Sequence, residues 1–187
     1  IMRIISGTYK GKKIFLPKDK ETRPLRDLVK ESVFNLIIHS KKFNIKIENS
    51  NILDLFSGCG SFGLECISRG AKKIWFIEYY LEAIKVLRKN IYNLKEENKC
   101  SIIQENCFNY IKGLNSLDEK FDIIFIDPPY KEKNINDLIE TIVDKKILKK
   151  RGIVIVHRHK KDTIKISQKL KILDERLYGI SKIIIGN

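Results

Sequence analysis

This 187-residue sequence lacks the usual marks of membrane, metal and disulfide sites. No apolar run approaches the roughly 20 residues that cross a bilayer, and the N-terminus lacks the apolar core of a signal peptide. The four cysteines fall in two pairs with six residues between partners, which matches neither a C-x-x-C metal clip nor a redox motif. We therefore expect a soluble, cytoplasmic protein with no metal and no membrane partner, whose thiols are buried or half-buried in a reducing compartment.

Acidic residues are also scarce relative to basic ones. Lys and Arg number 37 and Asp and Glu 23, so the formal net charge is +14. This excess favours a polyanionic partner such as nucleic acid over a small neutral metabolite. Part of it reflects a composition rich in Lys, Ile and Asn, as an AT-rich genome produces. The length fits one domain of ordinary size and is too short for two full domains, so we do not expect a large substrate-recognition domain.

The first 40 residues read as a basic extension. Residues 3–16, RIISGTYKGKKIFL, contain two short β-like runs around a glycine-containing stretch, which predicts a small hairpin. An amphipathic helix with Pro24 in its first turn should follow. Its apolar residues at helical spacing are Leu25, Leu28, Val29, Leu36 and Ile37. We predict that residues 2–40 form an RNA-facing extension and residues 51–187 the main domain.

From residue 51 onward, strands and helices alternate. Five apolar, β-branched runs are separated by helical segments, which predicts a parallel sheet covered on both faces. They read NILDLF, KIWFIE, SIIQE, FDIIFID and GIVIVH. Two final runs, KILDERLYG and ISKIIIG, meet at a tight turn around Gly179 and predict a terminal hairpin. This order resembles the α/β fold of class I methyltransferases, a Rossmann-like doubly wound sheet with an antiparallel terminal hairpin.

A glycine-rich loop follows the first of these strands. Residues 51–65, NILDLFSGCGSFGLE, carry Gly58, Gly60 and Gly63 at the spacing G-x-G-x-x-G. With Glu78 ending the next strand, this is the usual fingerprint of a dinucleotide site. Glu78 does not discriminate, because a carboxylate there can accept from the ribose hydroxyls of either cofactor.

Asp54, just before the loop, argues against a pyrophosphate. A carboxylate within about 4 Å of a phosphate oxygen costs about 4 kcal/mol at an effective dielectric constant near 20. S-adenosylmethionine reverses that sign, because it carries an ammonium and a sulfonium. We therefore interpret the loop as a cradle for the methionine end of S-adenosylmethionine; a tight turn that holds no ligand is the alternative.

The second motif is Asp-Pro-Pro-Tyr, residues 127–130, at the end of the run FDIIFID. Two prolines forfeit two backbone donors and keep the chain stiff. The Asp127 carboxylate and the Pro128 carbonyl can both accept hydrogen bonds from an exocyclic amine and orient its lone pair toward a methyl donor. Tyr130 can stack on the base. These residues, with Pro129, are the predicted catalytic set, and a rigid surface turn is the alternative; Asp127 or water can accept the released proton.

The remaining polar residues that attract attention have simpler interpretations. Cys59, inside the glycine loop, reads as a space-filling residue, because no histidine lies near it in the sequence. The three histidines, His39, His157 and His159, show no ligand arrangement, and we interpret them as solvated or packing residues.

The chain resembles the RsmD family of bacterial 16S ribosomal RNA guanine-N2 methyltransferases over nearly its whole length. The similar segments are RIISGTYKGKKI, RPLRDLVKESVFNLI, LDLFSGCGSFGLECISRGA and IDPPY. The resemblance implies methyl transfer from S-adenosylmethionine to the N2 amine of a guanine, with S-adenosylhomocysteine as product. It implies that the cofactor is bound by Asp54, Phe56, Gly58, Gly60, Gly63, Glu78, Asn106, Cys107 and Arg23.

The expected partner is ribosomal RNA in a small-subunit assembly intermediate, bound by a monomer. We predict that its phosphates are bound by the basic residues Arg3, Lys10, Lys12, Lys13, Arg23 and Arg26. The chain departs from the family pattern at Leu25, Arg26 and Leu28, and at His157 and Arg158, where a glutamate is common. An N6-adenine DNA methyltransferase, a nicotinamide oxidoreductase and a catalytically silent RNA-binding module are the alternatives.

Overall fold

The computed structural model describes residues 2–19, 25–115 and 119–187. A small antiparallel hairpin comes first, formed by β1 (Met2–Arg3) and β2 (Lys13–Ile14), with Met2 opposite Ile14. The predicted N-terminal hairpin is therefore present. Its inward side chains, Met2, Ile4 and Ile14, are buried in the same apolar cluster as one face of the main sheet.

The first helix, α1, spans Asp27–His39 and begins later than predicted. Arg26, directly before it, has an extended backbone with φ −61° and ψ 145°, so the helical turn starts at Asp27. The buried face is set by Val29, Val33 and Ile37, which follow one another at four-residue spacing. Leu28 was predicted on this face, and that prediction is wrong: it is 74% exposed. Pro24 lies outside the described residues.

The main sheet has seven strands. In chain order they are β3 (Asn51–Leu55), β4 (Lys73–Glu78), β5 (Cys100–Gln104), β6 (Phe121–Ile126), β7 (Leu148–His159), β8 (Ile172–Tyr178) and β9 (Ser181–Gly186). Their spatial order is β5-β4-β3-β6-β7-β9-β8, with β3 to β7 parallel. Strand β9 lies antiparallel between β7 and β8. The predicted class I methyltransferase fold is confirmed.

Helices cover both faces of this sheet. The main helices after α1 are α2 (Ser61–Ser68), α3 (Leu81–Leu94), α4 (Cys107–Gly113) and α5 (Ile135–Asp144), and a short 3-10 helix spans Glu97–Lys99. One core joins α1, α2 and α3 to one face, and a second joins α4 and α5 to the other. Within the described ranges, no helix is both long and apolar enough to cross a membrane.

A buried lysine ties the N-terminal extension to the sheet domain. Lys30 on α1 is fully buried and donates to the Arg3 carbonyl at 2.9 Å and to Ser61 Oγ at 3.2 Å. Its Nζ lies 3.7 Å from Oε2 of Glu65, which is also fully buried. Glu65 in turn accepts from the backbone N–H groups of Ile5 and Ser6, at 2.8 and 3.0 Å. A buried charge loses its compensation when its partner is removed, so these contacts hold the hairpin, α1 and α2 in one arrangement.

Candidate active site

Three carboxylates converge at the carboxyl edge of the sheet. Asp54 lies in β3, Glu78 ends β4 and Asp127 follows β6, and these strands are neighbours in the order β4-β3-β6. In open α/β sheets, ligands bind at this edge, at the point where the strand order reverses direction. Burial raises the pKa of Asp54 well above its ordinary value; the Gly63 N–H opposes this shift, and the charges of Asp127 and Glu78 add to it.

The glycine loop (residues 54–63) contains glycines of two kinds. A Cβ on Gly60 would lie 2.4 Å from Leu87 Cδ1, and one on Gly63 would lie 2.3 Å from Phe76 Cε1. These two glycines are therefore required by packing beneath the loop. Gly58 differs, because a Cβ there would have no atom within 4 Å, although its φ of +54° is left-handed. Of the three glycines, Gly58 borders open space.

Acidic side chains hold the backbone of this loop. The Gly63 N–H donates to Asp54 Oδ2 at 3.1 Å, and the Gly58 N–H donates to Glu78 Oε2 at 2.8 Å. Glu78 Oε1 accepts from Tyr79 and Tyr80 N–H groups, each at 2.8 Å. A carboxylate has about four lone-pair sites, so Glu78 keeps acceptor capacity beyond these three bonds. Both acids fix the loop in addition to the ligand contacts predicted for them.

Phe56 has a strained backbone at the start of the loop. Its φ of 58° is in the left-handed region, which costs a non-glycine residue about 1–2 kcal/mol. The Phe56 N–H donates a hydrogen bond to Cys107 Sγ at 3.3 Å. Such strain clusters at functional sites, which is consistent with the ligand contact predicted for Phe56.

Asn106 and Cys107 begin α4 beside the loop. Asn106 Oδ1 accepts from the Phe108 and Asn109 N–H groups at 2.9 and 3.3 Å, so Asn106 caps the helix. Burial raises the pKa of Cys107 to about 12, and burial also raises the pKa of Cys59 to about 11. Both thiols therefore stay protonated near neutral pH, and Cys59 is the buried space-filler that the sequence indicated.

The chemistry of this edge fits a cationic ligand. Two carboxylates, Asp54 and Glu78, bond the loop whose Gly58 faces open space, and they would repel a pyrophosphate. The ammonium and sulfonium of S-adenosylmethionine have the charge that such a set attracts. Within residues 2–19, 25–115 and 119–187, no cluster of three or more His, Cys, Asp or Glu side chains could hold a metal ion.

The strand-end segment (residues 127–132) presents Tyr130 to solvent. Pro128 is buried, whereas Pro129 is exposed and Tyr130 is 56% exposed. The His159 ring lies edge-on to Tyr130 at 5.5 Å between centroids, and Lys133 Nζ lies 5.0 Å from the Tyr130 ring centroid. An exposed aromatic ring flanked by these cationic or ionisable groups is suited to stacking on a nucleobase.

His157 contacts the predicted catalytic carboxylate. Its Nδ1 lies 2.7 Å from Asp127 Oδ1, and its Nε2 lies 2.9 Å from Ser181 Oγ. The interpretation of His157 as merely a solvated or packing residue is therefore wrong. Strands β6 and β7 are parallel and in register at Ile126 and Val156, so the residues directly after them become neighbours. Matching the two strand ends in the sequence could have found the pair.

Arg158 holds the rest of the strand-end segment and was also missed. Its guanidinium is almost fully buried and donates to the carbonyls of Pro129 and Tyr130, each at 3.4 Å, and of Glu132 at 3.0 Å. Asp162 pairs with the same guanidinium. Because proline has no N–H, this segment cannot be secured through its own amides there, and Arg158 secures it through its carbonyls.

The predicted RNA-binding residues are exposed but do not share one edge. Those that the structure describes are Arg3, Lys10, Lys12, Lys13 and Arg26, and Arg23 lies outside the described residues. The hairpin turn next to Lys10 is held by Ser68, at the end of α2 far from the glycine loop. Eight helical residues separate the two edges by about 12 Å. Arg3 lies nearer the carboxyl edge, because Lys30 donates both to its carbonyl and to Ser61 Oγ at the start of α2.

Known proteins are similar to this chain over nearly its whole length. A family model described as Conserved hypothetical protein 95 matches residues 2–187. The Ribosomal RNA small subunit methyltransferase D of Buchnera aphidicola subsp. Acyrthosiphon pisum is 34% identical over 161 residues, 86% of this chain and 80% of that protein. The protein of the same name from Haemophilus influenzae is 29% identical over 180 residues, 96% of this chain and 90% of that protein.

A solved structure extends the similarity to three dimensions. An Escherichia coli protein assigned as a methyltransferase matches with a TM-score of 0.81 at 25% identity. The match covers 99% of this chain and 96% of that one, so it includes the N-terminal extension as well as the sheet.

Proposed function

Because this chain belongs to the RsmD family, we propose that it methylates the exocyclic N2 amine of a guanine in small-subunit ribosomal RNA. The observation that carries the proposal is the Asp-Pro-Pro-Tyr segment at the sheet edge, beside a loop surrounded by carboxylates. The names of the relatives support ribosomal RNA as the substrate. They do not favour the alternative, an N6-adenine DNA methyltransferase.

The cofactor is S-adenosylmethionine, which would supply a methyl group on a cationic sulfur. Asp54 and Glu78 would attract its positive charge, and Glu78 has acceptor capacity for a ribose hydroxyl. Phe56 and Gly58 would contact it from the loop, and Asn106 with Cys107 from the start of α4. Gly60 and Gly63 would act through packing, because both are pressed against apolar side chains.

The catalytic role falls to the strand-end segment. The Asp127 carboxylate and the Pro128 carbonyl would accept hydrogen bonds from the two N–H groups of the amine, which orients the nitrogen lone pair and offsets its developing positive charge. Tyr130 would fix the plane of the base by stacking. A base inside a helix must first be extruded, at a cost of a few kcal/mol, so a guanine in a loop is the easier target.

The proposed substrate is a small-subunit assembly intermediate in the cytoplasm, bound by a monomer. To test the reaction, unmodified 16S RNA, partly assembled small-subunit particles and DNA are each incubated with the protein and cofactor labelled in its methyl group. We expect label in the RNA or the particle, recovered as N2-methylguanine after digestion. Label in DNA as N6-methyladenine, with none in RNA, would establish the alternative.

Asp127→Ala tests the catalytic assignment within this assay. We expect methyl transfer to fall by about 100-fold or more, with unchanged affinity for S-adenosylhomocysteine, because the variant removes a group that acts on the amine and not on the cofactor. Asp137→Ala, at an exposed position in the first turn of α5, is the matched control and should retain wild-type activity. Robust activity of Asp127→Ala would remove Asp127 from the mechanism.

A further inference from the structure

His157 lies between the catalytic carboxylate and a hydroxyl. Its ring nitrogens contact Asp127 Oδ1 on one side and Ser181 Oγ on the other, at 2.7 and 2.9 Å. The side chains of His157 and Asp127 are 20% and 19% exposed, so water competes only partly for the contact between them. Contacts at both nitrogens fix the plane of the ring as well as its position.

The protonation of this chain of contacts follows from its chemistry. An ionised Asp127 can only accept, so Nδ1 of His157 must carry the proton of the 2.7 Å contact. The Ser181 hydroxyl can either donate or accept, so Nε2 has a partner whether or not it is protonated. The hydrogen bond to Asp127 therefore persists in both charge states of the imidazole.

One consequence concerns the second oxygen of Asp127. With Oδ1 held by His157, Oδ2 remains for the amine of the substrate, and the carboxylate cannot rotate freely. The donor also offsets the repulsion between Asp127 and Asp54, whose pKa the charge of Asp127 helps to raise. The other ionisable groups at the ends of β7 face elsewhere: Arg158 pairs with Asp162, and His159 contacts Tyr130.

We propose that His157 is a positioning residue, which fixes Asp127 through its Nδ1–H in the orientation that accepts the substrate amine. This inference rests on the proposed function, because it assigns Asp127 the amine as its substrate. If His157 served only to join β7 to β9, its loss would lower stability, and restoring its N–H toward Asp127 would not restore turnover.

Two substitutions separate the hydrogen bond from packing. His157→Leu fills similar space without a donor, and His157→Asn restores an N–H near the position of Nδ1 but loses the contact with Ser181. We expect His157→Leu to lower kcat by about 10- to 100-fold, with unchanged KM for RNA and unchanged affinity for S-adenosylhomocysteine. His157→Asn should recover kcat to within about 5-fold of wild type. The matched controls are His39→Leu and His39→Asn, at an exposed position at the end of α1.

Several results would overturn the proposal. One is a wild-type kcat in His157→Leu, whether or not its Tm is lowered. Another is an equal loss of kcat in His157→Leu and His157→Asn. Ser181→Ala removes the second contact of the ring but keeps the hydrogen bond to Asp127, so it should lower kcat less than His157→Leu does.

A measurement without turnover distinguishes this inference from the proposed function. In protein labelled with ¹⁵N-histidine, the Nδ1–H of His157 should give a hydrogen-bonded proton resonance that disappears in Asp127→Ala. If the wild-type protein shows this resonance but methylates no RNA, the proposed function fails while the contact stands. If the resonance is absent from the wild-type protein, or persists in Asp127→Ala, the positioning role fails whatever the substrate is.

Discussion

The glycine loop and the strand-end segment lie at the same edge of the sheet but are held in opposite ways. The loop is held through its backbone N–H groups, which donate to the carboxylates of Asp54 and Glu78. The strand-end segment contains two prolines, and its carbonyls accept from the side chain of Arg158, while its carboxylate contacts His157. The glycine loop therefore needs acidic side chains beside it, and the strand-end segment needs hydrogen-bond donors from the neighbouring strand β7.

This difference follows from the inventory of donors. A segment rich in glycine exposes many N–H groups, which acids on adjacent strands can satisfy. A segment with consecutive prolines has surplus carbonyls, and arginine supplies five donors in a rigid fork. The acids that hold the loop, Asp54 and Glu78, belong to the same sequence motif as the glycines. Arg158, by contrast, lies almost 30 residues from the prolines of the segment that it holds.

The largest expected effect comes from removing the donor of the strand-end segment. Arg158→Met leaves Asp162 buried and unpaired, which should lower the free energy of unfolding by about 3–5 kcal/mol. It also removes the donor to three carbonyls, so methyl transfer should fall. Thermal unfolding and the RNA methylation assay measure the two effects.

A double variant separates these two effects. Arg158→Met combined with Asp162→Asn removes both charges, and the new amide oxygen can still accept from the Ile164 N–H that bonds Asp162 Oδ1 at 2.9 Å. Most of the lost stability should return, whereas kcat should stay low because the carbonyls still lack their donor. If activity returned together with stability, the two regions would not differ in the way that we describe.

A smaller effect is expected at the open side of the glycine loop. Gly58→Ala and Gly11→Ala both place a side chain at positive φ, +54° and +85°, with no atom within 4 Å of the new Cβ. Each should lose about 1–2 kcal/mol of stability through backbone strain. Only Gly58→Ala should weaken S-adenosylhomocysteine binding, by about 10- to 100-fold, because its methyl group enters the ligand space. Calorimetric titration of each variant with S-adenosylhomocysteine measures this difference. Equal affinities of the two variants would show that the ligand does not bind beside Gly58.

The smallest effect, measured per pH unit, is the pH dependence of stability that comes from Asp54, the acid beneath the loop. Burial raises the pKa of Asp54 above its ordinary value of 3.8, so the folded state binds this proton more tightly than the unfolded state. Stability from Asp54 is then fully present below pH 3.8 and is lost as the pH rises through the folded pKa, by at most about 1.4 kcal/mol per pH unit.

The test of Asp54 compares the pH dependence of Tm in wild type and Asp54→Asn. The wild-type protein should show the extra loss of stability, the variant should not, and S-adenosylhomocysteine should reduce the loss because its ammonium favours the ionised acid. Asp137→Asn, an exposed acid, is the control and should follow wild type. Identical curves for wild type and Asp54→Asn would contradict a raised pKa.

The sequence predicted the strands, the terminal hairpin and the glycine loop because each produces a local pattern. Apolar runs rich in β-branched residues, turn glycines and the G-x-G-x-x-G spacing can be recognised without knowing what lies across the sheet. The predicted start of α1 was wrong because Leu25 and Leu28 fit a helical pattern, whereas the helix begins at Asp27 and buries Val29 and Val33. The roles of His157 and Arg158 depend on the pairing of β6 with β7, which no local pattern encodes.

The contacts that fix the N-terminal hairpin also order events during synthesis. The amides of Ile5 and Ser6 bond a glutamate 60 and 59 residues further on, and the Tyr9 hydroxyl bonds Glu96, 87 residues further on. At translation speeds of about 5–20 residues per second, these partners appear about 3–17 s after the hairpin. The hairpin is therefore fixed only after residues far along the chain have been made, and a nascent chain arrested before Glu96 carries it incompletely anchored.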